Sequence, residues 1–304
     1  MTCLRVSTTL AIALVILAGL AEPSHLFAQA PAADVEPASL MTTPVFLMNG
    51  RQAIQQGTGF FFASTKADGT PDTVFLVTNY HVVTGRAPLS KQAALGDHVQ
   101  FLIHEDRTDL ARVRHLELPL YDAQLQPLWL TSDSVPDADV VLLPVPPAAY
   151  QGVSLFVFTE AHTHGDIKMR PTSGATLLGY PYGFADTAHD LPVWKTGHIA
   201  SEPSVDFDNR PVFLVDVSAF PGMSGSPVLA VANGIYEDED GQMRTGRVLK
   251  LLGIFSAMPV VRELKPASAG ADAAPEIATE TALQLGYVWK AALIADLARQ
   301  YRPR

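Results

Sequence analysis

Residues 221–227 read PGMSGSP, a stretch that places one serine, Ser224, between glycines in a turn. A serine hydroxyl is a weak nucleophile until a base removes its proton and hydrogen-bond donors stabilise the oxyanion that follows. The flanking glycines allow a sharp turn, so the backbone N–H groups of Gly222 and Ser224 are candidates for an oxyanion hole. An ordinary Gly/Ser/Pro turn has the same composition, so partner residues elsewhere in the chain must decide between the two interpretations.

The candidate base is His81, within the run VTNYHVV at 77–83, because it follows a strongly β-forming segment at the point where a strand should end. The candidate carboxylate is Asp139, which opens the apolar run of DADVVLLPV at 137–145. A carboxylate at the edge of such a run is costly unless it is paired, so it either caps a turn or orients a histidine. Asp109 is a competitor, but the strand after it alternates with arginines, and Asp139 ranks ahead.

The order of the three residues along the chain distinguishes between folds that share this chemistry. The α/β-hydrolase order requires a histidine after the nucleophile, and the last histidine of this chain is His198. That fold also needs a glycine two residues after the nucleophile, where this chain has Ser226. The order His81, Asp139, Ser224 therefore excludes it.

The rest of the sequence predicts an all-β fold, because short runs rich in Val, Leu, Phe and Thr alternate with turn residues. Helical periodicity is convincing only at 291–301, which predicts a C-terminal helix. The proline-rich segment 144–149 divides the β region into two halves. The Ala-rich segment 265–281 is interpreted as a mobile surface insertion, and the acidic segment 237–241 as a hairpin tip rather than a calcium loop.

The segments TNYHVV, DADVVLLPV and PGMSGSPV resemble, in order and spacing, the catalytic blocks of chymotrypsin-like serine peptidases. The resemblance is closer to the bacterial trypsin-like peptidases, including the HtrA-type protease domain, and spans about residues 42–300. It implies two antiparallel six-stranded β-barrels, about 42–145 and 172–290, followed by a terminal helix at 291–301. It also implies His81 as general base, Asp139 as its orienter, Ser224 as nucleophile, and Gly222 and Ser224 as the oxyanion hole.

The same resemblance places Ser218, Ser256 and Met258 around the substrate pocket. Since Ser218 carries no charge, the resemblance favours a small or apolar side chain before the scissile bond over a basic one. Met223 stands where the digestive enzymes have an aspartate that pairs with a newly cut N-terminus, so activation of that kind is not expected. A PDZ domain after residue 304 is not expected either.

The N-terminus has the pattern of a secretory signal peptide: Arg5, an uncharged apolar run at 10–20 and an Ala-x-Ala exit ending at Ala30. We therefore expect cleavage after Ala30, a flexible tether at 31–41 and a secreted or periplasmic protein. The only cysteine, Cys3, would leave with the signal. The net charge of −10 argues against nucleic acid or an anionic membrane as partner.

These observations predict an exported serine endopeptidase that acts on polypeptides and needs no cofactor or metal. His162, His164 and Asp166 could hold a metal only with further ligands that the sequence does not identify, so a polar loop is the preferred interpretation. Two alternatives remain open: a catalytically inactive binding or scaffold protein, and an esterase on the same fold. The oligomeric state is not predicted.

Overall fold

The computed structural model describes residues 34–66, 70–153, 155–266 and 276–303. The predicted signal peptide and residues 31–33 of the predicted tether lie outside these ranges. The strands of the first half are β1 (Thr42–Asn49), β2 (Gln52–Thr65), β3 (Pro71–Thr78), β4 (His98–His104), β5 (Val113–Pro119), β6 (Val141–Pro144) and β7 (Phe158–Thr159). Those of the second half are β8 (Gly174–Gly179), β9 (Val193–Ile199), β10 (Val212–Asp216), β11 (Pro227–Glu237), β12 (Met243–Phe255), β13 (Val260–Pro266), β14 (Glu276–Ala282) and β15 (Leu285–Lys290). The α-helices are α1 (Pro37–Leu40), α2 (Tyr80–Thr84), α3 (Glu160–Thr163) and α4 (Ala291–Gln300).

The N-terminal half is a curled antiparallel sheet in the order β5-β4-β1-β2-β3-β6, with the short strand β7 parallel to β2. Its two edge strands are joined through the irregular segment 120–130. The Leu128 N–H donates to the Leu120 carbonyl just after β5, and Leu130 exchanges hydrogen bonds with Leu142 of β6. The sheet therefore closes through backbone that is not a regular strand.

The C-terminal half is a closed barrel in the order β10-β15-β12-β11-β8-β9. Together the two halves give the all-β fold with two barrel-like sheets and a C-terminal helix that the sequence predicts, so the predicted fold class is confirmed. The chain passes between the halves through β6, a 3₁₀ turn at Pro147–Tyr150, β7 and α3.

Three consecutive phenylalanines of β2 show how the two barrels are packed together. Phe61 faces the interior of the N-terminal barrel, while Phe60 and Phe62 on the opposite face join a core shared with the C-terminal barrel. Alternate side chains of a strand point to opposite faces, so an uninterrupted apolar run requires both faces to be covered. The shared core also contains Leu229 of β11 and Ile254 of β12. The two barrels are thus joined by a continuous apolar core.

The helix α4 packs its apolar stripe against this shared core, with Leu293, Ile294 and Leu297 buried. The segment before β1 corrects the prediction of a flexible tether at 31–41. Residues 37–40 form the short helix α1, and both Ala38 and Leu40 are buried. The Trp194 indole donates to the Ser39 hydroxyl, so burial of small apolar side chains fixes residues that a Pro/Ala-rich composition suggested were mobile.

The segment 265–281, predicted to be a mobile surface insertion, contains regular strand structure where it is described. Strands β13 and β14 form a separate two-stranded antiparallel sheet, while residues 267–275 lie outside the described ranges. The acidic segment 237–241 connects β11 to β12, as a hairpin tip should, and Asp238 accepts a hydrogen bond from Arg244. None of the helices in the described ranges is long and apolar enough to cross a membrane.

Candidate active site

His81 and Asp139 lie side by side at one edge of the N-terminal barrel. The Nδ1 atom of His81 is 2.6 Å from Oδ2 of Asp139, and the His81 backbone N–H donates to Oδ1 at 2.9 Å. His81 follows β3 by three residues, in the helical turn α2, which ends where Gly85 adopts a left-handed conformation. The ring is about a quarter exposed, whereas the carboxylate is buried.

Two other side chains hold Asp139 in place. The Ser256 hydroxyl donates to Oδ2 at 2.5 Å, and the Asn79 side-chain amide donates to the Asp139 backbone carbonyl at 2.6 Å. Burial alone would raise the pKa of Asp139, but the hydrogen bonds and charge of His81 and the Ser256 hydroxyl lower it below its ordinary value. The carboxylate therefore stays ionised and accepts a hydrogen bond from the Nδ1–H group of His81.

Ser224 approaches this group from the C-terminal barrel, in the turn between β10 and β11. Its hydroxyl donates to the backbone carbonyl of Ser256 at 2.9 Å, while the hydroxyl of the same Ser256 reaches Asp139. Ser256 thus connects the predicted nucleophile to the predicted His–Asp pair. Among the hydrogen bonds of the described residues there is none between Ser224 and His81, and the Nε2 atom of His81 has no hydrogen-bond partner.

The turn around Ser224 presents two backbone N–H groups without partners in the described part of the chain. Gly222 and Ser224 donate no hydrogen bond there, while the Met223 N–H between them is used by the Phe220 carbonyl. The opposite sides of both peptides are fixed, since the Pro221 carbonyl accepts from Tyr182 N–H at 2.6 Å and the Met223 carbonyl from Ser226 N–H. Each free N–H therefore has a set direction, as an oxyanion hole requires.

Glycine is necessary at position 222 for two reasons. Its φ is +94°, a conformation that residues with a side chain rarely adopt. A Cβ atom there would also lie 2.4 Å from the Tyr180 carbonyl oxygen. Gly225 has the same double requirement, because its φ is +92° and a Cβ would lie 1.9 Å from the Thr58 carbonyl oxygen.

Thr58 of β2 connects the N-terminal barrel to the turn that carries Ser224. Its N–H donates to the Ser224 carbonyl at 2.8 Å, and its hydroxyl donates to the Gly222 carbonyl at 2.7 Å. The same hydroxyl accepts from Tyr180 N–H, and Thr78 donates to the Thr58 carbonyl. Thr58 therefore fixes the position of the Ser224 turn relative to the N-terminal barrel.

The three residues predicted around a substrate pocket have different surroundings. Ser256 is buried with its hydroxyl on Asp139, so its side chain supports the carboxylate. Met258 is partly buried and packs against the core of the C-terminal barrel, and Ser218 is exposed.

His162 lies in α3 and accepts the Thr159 N–H, and no cluster of three or more metal-ligating side chains occurs among the residues described.

The sequence analysis missed Asn79 and Thr58 and assigned Ser256 only to the pocket. Asn79 stands two residues before His81, and Thr58 lies between two glycines, which hints at a close backbone approach. The contact of Ser256 with Asp139 joins residues 117 positions apart, so it cannot be predicted from the sequence around either residue.

A family model for the trypsin-like peptidase domain matches residues 57–235, which is more than half of the 304 residues. The chain belongs to the trypsin-like peptidase family. The predictions of a trypsin-like peptidase and of a serine-type endopeptidase are confirmed at the level of the family, whose substrates are polypeptides. Among curated proteins, none matches this trypsin-like peptidase.

Solved structures similar to this trypsin-like peptidase include a serine endoprotease from Yersinia pestis, with 15% identity and a TM-score of 0.41. That similarity covers 87% of this chain and 65% of the Yersinia chain. A thermostable serine protease from an extremophilic microorganism has 13% identity and a TM-score of 0.42, covering 87% of this chain and 98% of the other. A scabies mite inactivated protease paralogue has 15% identity and a TM-score of 0.42, covering 89% and 99%.

Proposed function

We propose that the protein is an exported serine endopeptidase that hydrolyses peptide bonds through an acyl-enzyme, with Ser224 as nucleophile, His81 as general base and Asp139 as its orienter. The observation that carries the proposal is the hydrogen-bonded chain Ser224–Ser256–Asp139–His81. It brings residues from both barrels to one place beside two free backbone N–H groups.

In the proposed reaction each of these groups has one role. A rotation about the Cα–Cβ bond of Ser224 turns its hydroxyl from the Ser256 carbonyl towards Nε2 of His81, which takes the proton as Oγ bonds to the substrate carbonyl carbon. The N–H groups of Gly222 and Ser224 stabilise the negative oxygen that forms. His81 then gives the proton to the leaving amine as the C–N bond breaks, and a water molecule repeats the sequence to release the acid.

Asp139 serves this cycle by staying ionised. Its lowered pKa keeps it a hydrogen-bond acceptor for Nδ1–H, which leaves Nε2 unprotonated and able to act as the base. The substrate side chain before the scissile bond would be small or apolar, because Ser218 supplies no countercharge for a basic one.

The decisive test uses the Ser224→Ala variant with an unfolded protein substrate and a fluorophosphonate probe. We expect the wild type to cleave the substrate and to be labelled, and the variant to fold but do neither. Undiminished cleavage by Ser224→Ala would contradict the assignment of the nucleophile. Parallel ester and peptide substrates with the same acyl group separate a peptidase from an esterase on this fold.

A catalytically inactive binding or scaffold protein is the second candidate, and one observation favours it: the Ser224 hydroxyl donates to Ser256 rather than to His81. Hydrogen bonds between catalytic groups are often poorly aligned without substrate and improve when it binds. An absence of labelling in the folded wild type would favour the scaffold.

Export is proposed from the N-terminal sequence alone: Arg5, the apolar run at 10–20 and the Ala28-Gln29-Ala30 site. Expression of the full chain in a bacterium, followed by fractionation and N-terminal sequencing, tests it. We expect the exported protein to begin at Pro31; a protein that keeps Met1 in the cytoplasm would contradict the proposal.

A further inference from the structure

Three large aromatic side chains are exposed on the two turns that adjoin the free N–H groups. We refer to Tyr182, Phe184 and Phe220 as the aromatic lip; their exposed fractions are 72%, 70% and 44%. The rings of Tyr182 and Phe220 lie 6.0 Å apart between centroids, and Phe184 follows Tyr182 in the same turn. Single exposed apolar residues are common, but adjacent exposed aromatics are typical of binding surfaces.

The aromatic lip is continuous with the turn that carries Ser224. Phe220 precedes Gly222 by two residues, and the Tyr182 N–H holds the Pro221 carbonyl at 2.6 Å. A Cβ placed on Gly222 would lie 3.0 Å from the Tyr182 nitrogen. A substrate whose carbonyl is held by the Gly222 N–H would therefore lie close to the Tyr182 backbone.

Tyr182 is not the residue that its backbone favours. Its φ of 52° and ψ of 26° place it in the left-handed region, which glycine and asparagine enter at much lower cost than a tyrosine. The fold needs only the N–H of this residue, which any amino acid except proline supplies. An exposed ring kept at a strained position points to a role for the ring itself.

The segments on either side of Ser224 assign the aromatic lip to one side of the scissile bond. Ser256 and Met258, predicted beside the acyl part of a substrate, lie on the segment that accepts the Ser224 hydroxyl. The aromatic lip lies beyond Gly222, next to Gly183, whose Cβ position is 2.8 Å from the Gln56 side chain of β2. A polypeptide bound across Ser224 would thus pass from the Ser256 segment to the lip.

We propose that the aromatic lip binds a large apolar or aromatic side chain of the polypeptide substrate on the leaving-group side of the scissile bond. This inference rests on the proposed function. Lys195 adds a preference, since its Nζ lies 5.1 Å from the centre of the Phe220 ring and has no ion-pair partner in the described part of the chain. A basic substrate side chain is disfavoured there by repulsion.

The test compares Tyr182→Asn with the wild type on peptides that share one acyl-side sequence and carry Phe, Gly or Lys after the scissile bond. Asparagine keeps the N–H and tolerates the left-handed backbone, so only the ring is lost. A chromogenic substrate with the same acyl part but no residue after the scissile bond reports on the nucleophile and oxyanion hole alone. Ile235→Asn, at an exposed position of β11, is the matched control for loss of an exposed apolar side chain.

We expect kcat/KM of the wild type to rank Phe above Gly above Lys. In Tyr182→Asn, the ratio of kcat/KM on the Phe peptide to kcat/KM on the chromogenic substrate should fall about tenfold, while Ile235→Asn should keep the wild-type ratio. Equal losses on every substrate would overturn the inference, because the ring would then act through the oxyanion hole, and an unchanged Phe peptide would overturn it too. If the wild type cleaves nothing and resists the fluorophosphonate probe, the proposed function itself has failed and this inference with it.

Discussion

The N-terminal barrel supplies the candidate site with charged and polar side chains, whereas the C-terminal barrel supplies it mainly with backbone. The buried Asp139 carboxylate binds His81 of the same barrel and accepts a hydrogen bond from the Ser256 hydroxyl of the other. The turn around Ser224 offers N–H groups whose directions depend on glycines with positive φ. Catalysis should therefore be lost when a hydrogen-bonding side-chain group is removed from the N-terminal barrel. In the C-terminal barrel it should be lost when a methyl group is added to a glycine of the Ser224 turn.

The largest effect is expected from Asp139→Asn, which alters the hydrogen bond between Asp139 and His81 in the N-terminal barrel. An amide in place of the carboxylate donates towards Nδ1 and stabilises the wrong imidazole tautomer, so kcat should fall about 10⁴-fold with little change in fold. Peptide hydrolysis measured beside the neighbouring variant Asp137→Asn provides the check. An activity within tenfold of the wild type would show that Asp139 does not orient His81.

Gly222→Ala tests the backbone half. The added methyl meets the Tyr180 carbonyl, and the strained φ displaces the N–H, so kcat should fall by about 10²- to 10³-fold.

Gly234→Ala is the matched control for that variant, since Gly234 also has a positive φ but no atom within 4 Å of a Cβ position. It should cost about 1 kcal/mol of stability and leave kcat unchanged. Equal losses of activity in the two variants would mean that positive φ, rather than the position of the Gly222 N–H, is what matters.

Ser256→Ala should have a smaller effect, because the backbone carbonyl that accepts from Ser224 remains. Loss of the hydroxyl removes a hydrogen bond to a buried charge and should lower kcat/KM about tenfold. The natural control is Ser226→Ala, since the Ser226 hydroxyl is buried without a hydrogen-bond partner among the described residues. Similar losses in both variants would refute a specific role for the Ser256 hydroxyl.

The smallest effect concerns His162, which lacks the carboxylate partner that His81 has. Burial lowers the pKa of His162, and its Nδ1 accepts the Thr159 N–H at 3.0 Å. The unfolded chain therefore binds more protons than the folded chain as His162 titrates, so the free energy of unfolding should fall as the pH is lowered from 7.5 to 5.

His162→Gln keeps an acceptor for Thr159 and removes the titration. Urea unfolding of both proteins, each carrying Ser224→Ala to prevent self-digestion, should show a weaker pH dependence in the glutamine variant. Parallel curves would contradict the prediction.

The sequence predicted what depends on local pattern and failed on what depends on contacts between distant segments. The alternation of apolar residues and turns is enough to indicate a β fold, and the cost of an unpaired carboxylate at a buried strand was reason to prefer Asp139 to Asp109. Asp109 is in fact exposed. Composition misled at 37–40, where buried residues pack, and at β14, where part of the Ala-rich segment pairs with β13 in a sheet.

Thr58 has a consequence for how such proteins can be recombined. It sits in β2, yet its N–H and hydroxyl hold the carbonyls of Ser224 and Gly222 in the other barrel. The two barrels are therefore not interchangeable modules. A chimaera that combines this C-terminal barrel with a foreign N-terminal one inherits a working nucleophile turn only if the donor supplies a hydroxyl-bearing residue at the same point.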